Sequence, residues 1–500
     1  MRKFHITKVL AALLLSASAA QAADLRIGLQ DDIDIIDPDR SRAFVNRIVF
    51  TSFCDTLIDI DQNMNYVPRL ATEWNWGDGN KSLTMKIRDD ATFHDGTPVN
   101  AEAIKYNLER SKNLEGSLRR SEIAAVDTVD VVDEHTVKLN LSRPDSTLIS
   151  QLSGWAGMII SPAAAEKGDF SKEPACSGPY KFVERVQNDK IVFDKYENYW
   201  NADQYHFDRL TFMPIPDATV RMANLRAGSL DVIERMSPTD IEIIEGDKES
   251  SIVKADGLGY QGFMINLTKG SGAEKSTIAK DARLRQALSI SIDRNVIAEV
   301  VGANAFLPAS MPFPPTSFAY DERFEIKRDV EKARALIKEA GFDRVPVEIQ
   351  FTNTTQQQQI YELVQAMAAE AGFDVSLRAV EFTGLQASMK EGNFQASQAG
   401  WAGRVDPDGN IAHYIMCKGT LNDSGFCSEK VDSALQAARE TTDTAERKKH
   451  YAVMQEVLSE DVPQVFLYFQ PWIYGVRNEV SNFRAYPDGM IRLDGVTKAN

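Results

Sequence analysis

Hydrophobic and polar residues alternate over short stretches in the first half of the chain. Alternation with a period of two is typical of strands with one buried face. It predicts strands over residues 25–29, 83–88, 127–132, 136–141 and 190–193. Between them, an amphipathic stretch near 45–53 and a segment that begins after Asn100 and runs to Arg110 predict helices, the second with Asn100 as its N-cap.

Apolar residues at helical spacing dominate the second half. They predict helices over residues 283–301, 330–340, 356–371, 430–440 and 447–459. Gly341 and Gly372 follow two of these segments, at the position where glycine commonly ends a helix. Each glycine is followed by an alternating stretch, at 345–351 and 373–380. The repeated order favours an α/β layer here, whereas the first half is mixed without a strict βαβ rhythm.

The first 22 residues have the form of a secretory signal peptide. A basic start over residues 2–8 precedes an apolar stretch over 9–15, and Ala-Gln-Ala at 20–22 fits the small-residue cleavage site. The apolar stretch is shorter than the ~20 residues that cross a bilayer. We therefore expect cleavage after Ala22 and a soluble periplasmic protein. A retained membrane anchor is the alternative.

Composition and charge narrow the classes of function. The chain has 500 residues, of which 43% are hydrophobic and 26% charged, an ordinary balance for several globular domains. Its 72 acidic residues outnumber 56 basic ones, and the net charge of −16 argues against nucleic acid or an anionic membrane as a partner. The histidines show no pairing at ligand spacing, so we expect no metal and no cofactor.

Four cysteines allow three disulfide pairings in an oxidising compartment. Cys417 and Cys427 flank the turn-rich segment 419–425, so a local bridge between them is expected. Cys54 and Cys176 would then close a long loop. The alternative is that the cysteines are buried free thiols.

Motifs for catalysis and for nucleotide binding are weak. No Gly-x-Ser-x-Gly signature occurs. Residues 257–262 have Gly-x-Gly-x-x-Gly spacing, but 260–267 reads as a strand, where a dinucleotide site requires a helix. His94 and Asp95 lie in a His-Asp-Gly-Thr-Pro turn, which is more typical of a structural turn than of an acid/base pair. We expect a binding protein and not an enzyme, with an exported hydrolase using His94 as a distant alternative.

The most informative segment is 399–409. A strand-like stretch at 394–401 leads into a loop that carries an indole, a guanidinium and two carboxylates, from Trp401, Arg404, Asp406 and Asp408. Such groups at the end of a strand are typical of a binding cleft. Each also has a structural interpretation: Trp401 as core, Asp406 and Asp408 as formers of the proline turn, and Arg404 as a partner of Asp406.

Four segments, taken in chain order, resemble the family-5 periplasmic solute-binding proteins, the dipeptide, oligopeptide and nickel receptors of ABC importers. They are 83–88 with Phe93-His94-Asp95-Gly96-Thr97-Pro98, then Ser-Gly-Pro-Tyr-Lys-Phe at 177–182, then 281–288 with Ile292-Asp293-Arg294, and last Gly400-Trp401 with Asp406-Pro407-Asp408. The likeness extends from Leu25 to about Pro487. It implies a class of protein, not a particular solute.

The resemblance implies an α/β fold of the type II, cluster C periplasmic binding proteins, with two lobes and an extra domain inserted in the first. By analogy the first lobe takes 23–66, 178–278 and 478–500, the extra domain 67–177, and the second lobe 279–477. The bridge from Cys54 to Cys176 would staple the neck of the extra domain. Such a protein would be a monomer whose lobes close on a small solute, and an inner-membrane ABC permease would bind the closed form.

One position departs from the family's pattern. In peptide-binding members an aspartate a few residues after Gly-Trp binds the α-ammonium of the peptide, whereas Arg404 stands at or beside that position here. A guanidinium repels an ammonium and offers two parallel donors to a carboxylate or phosphate. We therefore expect a peptide or amino-acid-derived solute with a carboxylate. An opine-like conjugate, a sugar or a sugar phosphate is the alternative.

Each candidate residue has an expected role in binding. Arg404 would bind the anionic group, Trp401 would be the stacking wall, and Asp406 or Asp408 would orient polar groups of the solute. Tyr260 and Phe263 are further candidates because they lie on the strand before the expected crossing between the lobes.

Overall fold

The structure is a computed structural model that describes residues 24–499, so the expected signal peptide and its cleavage site lie outside the described residues. The strands, in chain order, are β1 Asp24–Leu29, β2 Ile58–Ile60, β3 Tyr66–Pro68, β4 Ala71–Gly77, β5 Ser82–Ile87, β6 Val126–Asp133, β7 Thr136–Leu141, β8 Tyr180–Val186, β9 Lys190–Lys195, β10 Arg209–Pro214, β11 Val232–Ile233, β12 Ser250–Ala255, β13 Tyr260–Ile265, β14 Leu307–Pro308, β15 Val345–Thr352, β16 Phe373–Val380, β17 Ala396–Gly400, β18 Gln464–Phe469, β19 Trp472–Arg477, β20 Val480–Ser481 and β21 Thr497–Lys498.

The helices alternate with these strands. In chain order they are α1 Phe44–Phe53, α2 Ala101–Asn113, α3 Leu148–Leu152, α4 Pro162–Glu166, α5 Ala218–Arg226, α6 Ile241–Glu245, α7 Gly270–Lys275, α8 Ala282–Ser291, α9 Arg294–Val300, α10 Val330–Glu339, α11 Thr355–Ala371, α12 Phe382–Glu391, α13 Asp408–Ile415, α14 Glu429–Glu440 and α15 Thr444–Asp461. Short 3₁₀ turns lie at Trp155–Gly157, Ala202–Gln204, Pro238–Asp240 and Glu322–Phe324.

Two large sheets each form the centre of a lobe. The first lobe has seven strands in the order β12-β19-β11-β1-β10-β9-β8, with β1 parallel to both of its neighbours. The second lobe has six strands in the order β14-β18-β13-β17-β15-β16. Separate hydrophobic cores pack on the two sheets, one built around Phe50, Phe53 and Phe212 and the other around Phe263, Val347 and Phe351. Separate cores allow the lobes to move as units.

A four-stranded antiparallel sheet, β4-β5-β7-β6, forms the extra domain with its own core around α2. Cys54 and Cys176 are joined by a disulfide at its neck, with their Cα atoms 4.9 Å apart. Gly178 lies so close to α1 that a Cβ atom would be 2.6 Å from the carbonyl carbon of Phe53. The bridge therefore fastens the extra domain to the first lobe, as the resemblance implied.

The chain crosses between the two lobes in two adjacent segments. One joins β12 to β13, and the other joins β18 to β19. The Gly257-to-Gly262 motif lies on the first crossing, and its glycines allow close backbone contacts. A Cβ atom on Gly257 would lie 2.0 Å from the carbonyl oxygen of Gln470, and one on Gly259 would lie 2.0 Å from that of Trp401. These glycines are explained by packing at the crossings, without a nucleotide.

Most predicted elements are present with shifts of one to three residues at their ends. The predicted continuous helix over 283–301 is wrong, because the structure has two helices, α8 and α9, in that range. Asp293 interrupts the run: its carboxylate accepts hydrogen bonds from the backbone N–H groups of Asn295 and Val296, which starts a new helix.

The domain limits stay a prediction, but the structure refines one of them. β19 pairs with β11 and β12 of the first sheet, so the chain returns to the first lobe at Trp472, before the expected residue 478. In the part of the chain that the structure describes, no helix combines the length and apolar character needed to span a membrane.

Candidate functional site

A cavity of about 370 Å³ lies between the lobes, next to the two crossings. Its size is in the range of small-molecule sites, roughly 300–1,000 Å³. The first lobe contributes Phe44, Arg235 and Trp472, and the second lobe contributes mainly aromatic, apolar and amide side chains: Gln261, Phe382, Leu385, Gln386, Met389, Gln398, Trp401, Tyr414 and Leu421, together with Asp423. Among the described residues that line it, Arg235 and Asp423 are the charged ones, and they come from opposite walls.

The wall from the first lobe is an aromatic pair with a guanidinium beside it. The rings of Phe44 and Trp472 are stacked at 4.9 Å with an interplanar angle of 9°. The Cζ atom of Arg235 lies 5.3 Å from the centre of the Phe44 ring and 5.2 Å from that of Trp472. Glu234, which is 2% exposed, forms an ion pair with Arg235, in which Oε1 lies 2.9 Å from Nε. These contacts fix the guanidinium at the wall of the cavity.

The backbone at Arg235 is also unusual. Its φ of 50° lies in the left-handed region, which costs free energy in a residue other than glycine. The side chain of Arg221 compensates by donating a hydrogen bond from Nη2 to the Arg235 carbonyl oxygen, 3.0 Å away. Strain that the surroundings maintain at a cavity wall is typical of a functional position.

The wall from the second lobe includes Trp401 and Tyr414, whose rings meet edge to face at 5.7 Å. The backbone N–H of Trp401 donates to the carbonyl oxygen of Tyr260 at 2.9 Å, which fixes the indole at the end of β17. The indole Nε1 is buried without a hydrogen-bond partner in the described part of the chain. Trp401 thus presents a rigid aromatic surface to the cavity.

The loop closed by the Cys417–Cys427 disulfide completes this wall. It carries Leu421 and Asp423 to the cavity. Lys269 Nζ lies 3.6 Å from the Asp423 carboxylate, and burial raises the pKa of Asp423. Both expected disulfides are therefore present in the structure.

Arg404 is near Trp401 but does not line the main cavity. Its Cζ atom is 4.5 Å from the centre of the indole ring. It lines a second, smaller cavity of about 20 Å³, where Arg47 and Glu122 also lie. Burial lowers the pKa of Arg404 to about 9, with nearby Arg47 lowering it further and Glu122 opposing this.

Asp406 and Asp408 are buried in ion pairs. Arg447 donates to both carboxylate oxygens of Asp406 at 2.7 and 2.8 Å. Arg439 donates to both oxygens of Asp408 at 2.8 Å. Neither aspartate lines the main cavity, and their oxygens fix the loop to α14 and α15.

Tyr260 and Phe263 are both fully buried behind the wall and not in it. The Tyr260 ring packs edge to face on Phe466 at 4.8 Å. Phe263 belongs to the core of the six-stranded sheet. Of the residues chosen from the sequence, the structure thus brings Trp401 to the main cavity and Arg404 to the adjacent one.

His94 serves the neck of the extra domain. Its Nδ1 accepts from the backbone N–H of Cys176 at 3.2 Å, which leaves Nε2 as the donor to the Gly178 carbonyl oxygen at 2.9 Å. Burial lowers the pKa of His94 to about 4, so the ring is neutral at pH 7. With both nitrogens bonded to backbone, the ring has no nitrogen available as the base of a hydrolase. No cluster of metal-binding side chains occurs within residues 24–499.

Sequence reasoning missed the wall from the first lobe. Phe44, Arg235 and Trp472 come from three distant segments, and only the seven-stranded sheet brings them together. Asp423 could have been found, since its loop is bounded by the two cysteines that were already expected to pair.

Two lobes with separate sheets, two adjacent crossings and a mixed aromatic and charged cavity between them define a two-lobed solute-binding protein. The family model of bacterial extracellular solute-binding proteins, family 5, matches residues 65–422, and the chain belongs to that family. The fold is the type II periplasmic binding protein fold with an extra domain, as the resemblance implied.

The chain is similar to relatives and to solved structures over almost its whole length. The chain is 26% identical over 520 residues to the glutathione-binding protein GsiB of Pectobacterium atrosepticum, covering 99% of this chain and 98% of that one. It superposes with a TM-score of 0.82 on the binding protein AgaA of Agrobacterium tumefaciens in complex with agropinic acid, at 24% identity and 95% and 99% coverage. For the Escherichia coli murein tripeptide binding protein MppA the TM-score is 0.83, at 22% identity and 96% and 99% coverage.

Proposed function

We propose that this protein captures a peptide or amino-acid-derived solute with a carboxylate between its lobes and delivers it to an inner-membrane ABC permease. The observation that carries the proposal is the cavity between the lobes, where Arg235 and Asp423 offer opposite charges and aromatic side chains supply the walls. An amino-acid group carries both an anion and an ammonium, so it complements this pair of charges. The name of the relative GsiB, a glutathione-binding protein, supports the same class of solute.

Arg404 is the proposed anion-binding residue. Its guanidinium stacks on Trp401 and, within residues 24–499, has one hydrogen bond, from Nη1 to the Gly403 carbonyl oxygen at 2.8 Å. The remaining donors suit a carboxylate, which a guanidinium binds with two parallel hydrogen bonds. Asp406 and Asp408 could orient polar groups of the solute only if they exchanged Arg447 and Arg439 for it, and these arginines lie on the same lobe as the two aspartates.

An opine-like conjugate is the second candidate, because the structure of AgaA was solved in complex with agropinic acid. Peptide and opine share an amino-acid part, and they differ in whether the second part is a residue or a sugar-derived chain. The apolar side chains Phe382, Leu385 and Met389 on the cavity wall favour a peptide side chain over a polyhydroxylated one.

The location and mode of action complete the proposal. The protein would be a periplasmic monomer, cleaved after Ala22, that binds its solute without chemical change. Purified protein incubated with its solute should return it intact at one molecule per protein. Recovery of cleaved products by mass spectrometry would favour the hydrolase instead.

The direct test is to identify the solute and then remove the guanidinium. Mass spectrometry of small molecules released on denaturing the purified protein should find an amino-acid-derived acid. Calorimetry should then show weaker binding of that acid to Arg404→Ala than to wild type, whereas Arg42→Ala, at an exposed position of the first lobe, should bind normally. Equal affinity of Arg404→Ala and wild type would refute the role of Arg404.

A further inference from the structure

The small cavity lined by Arg404 contains a second arginine that forms no ion pair with a described residue. Arg47, on α1, is only 6% exposed, and its Nε and Nη1 atoms are buried without a hydrogen-bond partner among the described residues. Within residues 24–499 it forms no ion pair, and neither does Arg404. Burying a charged group without a partner costs free energy, because the group loses its hydration and gains nothing in return.

The acids near these two arginines are bonded to other arginines. Glu122 accepts a hydrogen bond from Arg119 Nη1 at 2.5 Å. Asp488 accepts from Arg492 at 3.1 Å through both of its oxygens. The lining therefore contains two arginines and two acids, but the hydrogen bonds of the acids go to Arg119 and Arg492 and not to Arg47 or Arg404. Burial lowers the pKa of Arg47, while the nearby charge of Asp488 opposes this and that of Arg492 adds to it.

The cavity lies where three parts of the fold meet. Arg47 belongs to the first lobe, Ser150 and Gln151 to the extra domain, and Arg404 to the second lobe. The backbone N–H of Asp406 donates to Ser150 Oγ at 3.4 Å, so the loop that carries Arg404 contacts α3 directly. The two guanidinium groups line one cavity only when the lobes are together.

We propose that Arg47 and Arg404 together bind an oxyanion of the solute, and that their mutual repulsion keeps the lobes apart until this anion arrives. The inference rests on the proposed function and adds a residue from the first lobe to the anion site. A cavity of about 20 Å³ admits the oxygen end of a carboxylate or phosphate but not a whole solute. The rest of the solute would occupy the larger cavity, which is lined by Trp401, the residue that Arg404 contacts.

This arrangement explains why closure would depend on the solute. Like charges that approach each other in a region of low dielectric disfavour the closed form. An anion between them converts repulsion into attraction, so it binds the closed form better than the open one. A difference in affinity between the two forms is what a ligand needs in order to shift their populations.

The test compares Arg47→Met, which removes the charge but keeps an unbranched side chain, with Arg47→Lys, which keeps the charge. Arg42→Met is the matched control on the same lobe, because Arg42 is exposed. Small-angle X-ray scattering of protein freed of solute should give a smaller radius of gyration for Arg47→Met than for wild type, Arg47→Lys and Arg42→Met. An unchanged radius for Arg47→Met would overturn the repulsion.

Calorimetry with two probes tests the anion site and distinguishes its sources. Reduced glutathione supplies carboxylates, and glycerol 3-phosphate supplies a phosphate. The probe that wild type binds should bind Arg47→Met about tenfold or more weakly, and Arg42→Met normally. Binding that is indifferent to Arg47 would overturn this inference alone. Binding of neither probe to wild type would overturn the proposed solute class and the anion site together. A melting curve confirms that each variant is folded.

Discussion

Arg447 donates hydrogen bonds to both carboxylate oxygens of Asp406, at 2.7 and 2.8 Å, and the two side chains are each 6% exposed. The pair joins the loop after Trp401 to α15, and Tyr451 adds a hydroxyl that accepts from Arg447 Nη2 at 2.9 Å. The position of Trp401 and Arg404 thus depends on a buried ion pair a few residues further along the chain.

Removal of one partner from this pair should be strongly destabilising. Asp406→Ala leaves the Arg447 guanidinium buried without its counter-ion, and the free energy of unfolding should fall by about 3–5 kcal/mol. Urea denaturation measures the change. In the exposed pair of Lys430 with Glu456, Glu456→Ala should cost less than about 1 kcal/mol, since solvent screens that pair. Equal losses in the two variants would contradict the stabilising role of burial.

The charged residues of the main cavity should determine affinity. Arg235→Gln should weaken the binding of an acidic amino-acid derivative about tenfold, which corresponds to 1.4 kcal/mol. Asp423→Asn should weaken the binding of a derivative with a free ammonium by a similar factor and leave its N-acetylated form unaffected. Calorimetry supplies the dissociation constants. Arg226→Gln is the control for Arg235, since its side chain is 59% exposed and lies away from the cavity lining. A similar loss of affinity in Arg226→Gln would contradict the role of Arg235 in binding.

His94 should make stability depend on pH in acid. Burial lowers its pKa in the folded protein to about 4, below the ordinary histidine value of 6.5. Between these two pH values the unfolded chain binds a proton that the folded protein does not. The free energy of unfolding is therefore highest above pH 6.5, as far as His94 is concerned, and it falls as the pH drops towards 4. The loss should reach about 3 kcal/mol, at 1.36 kcal/mol for each pKa unit.

Denaturation midpoints measured from pH 4.5 to 7.5 test this dependence. His94→Gln retains one donor and one acceptor but does not titrate, so its midpoint should change less over the same range. If the two profiles were parallel, other groups would be responsible for the acid dependence.

The sequence was sufficient for much of the fold. The strand at 373–380 is predicted with both ends correct, and Asn100 caps α2 as expected, because these features depend on neighbours in the chain. The helix over 283–301 failed where Asp293, a local cap, overrides the helical periodicity of the apolar residues. Periodicity reports the buried face of a helix, and it does not report a break that leaves the face unchanged.

The candidate site was less accessible to prediction. Trp401 could be found because an aromatic residue at the end of a strand is a local pattern. Arg47 could not, since nothing in its own helix distinguishes a buried guanidinium from a solvated one. Its environment comes from α3 of the extra domain and from the loop of Arg404, which are distant along the chain. Charge balance within a cavity is a property of the assembled fold.

The two disulfides should have separable effects on stability and on binding. In the chain-entropy model, loss of the Cys54–Cys176 bridge, with a sequence separation of 122, should cost about 5 kcal/mol of stability, and loss of the Cys417–Cys427 bridge, with a separation of 10, about 3 kcal/mol.

The effect on affinity for the solute should have the opposite order, with the larger loss for the Cys417–Cys427 bridge. The shorter loop brings Leu421 and Asp423 to the cavity, so its release adds an ordering cost to binding, whereas the longer bridge lies at the neck of the extra domain. Paired cysteine-to-serine variants, studied by urea denaturation and by calorimetry, measure the two quantities. If the Cys54→Ser/Cys176→Ser variant lost more affinity than its counterpart while remaining folded, the wall at Asp423 would not be part of the binding site, and the extra domain would have to contact the solute instead.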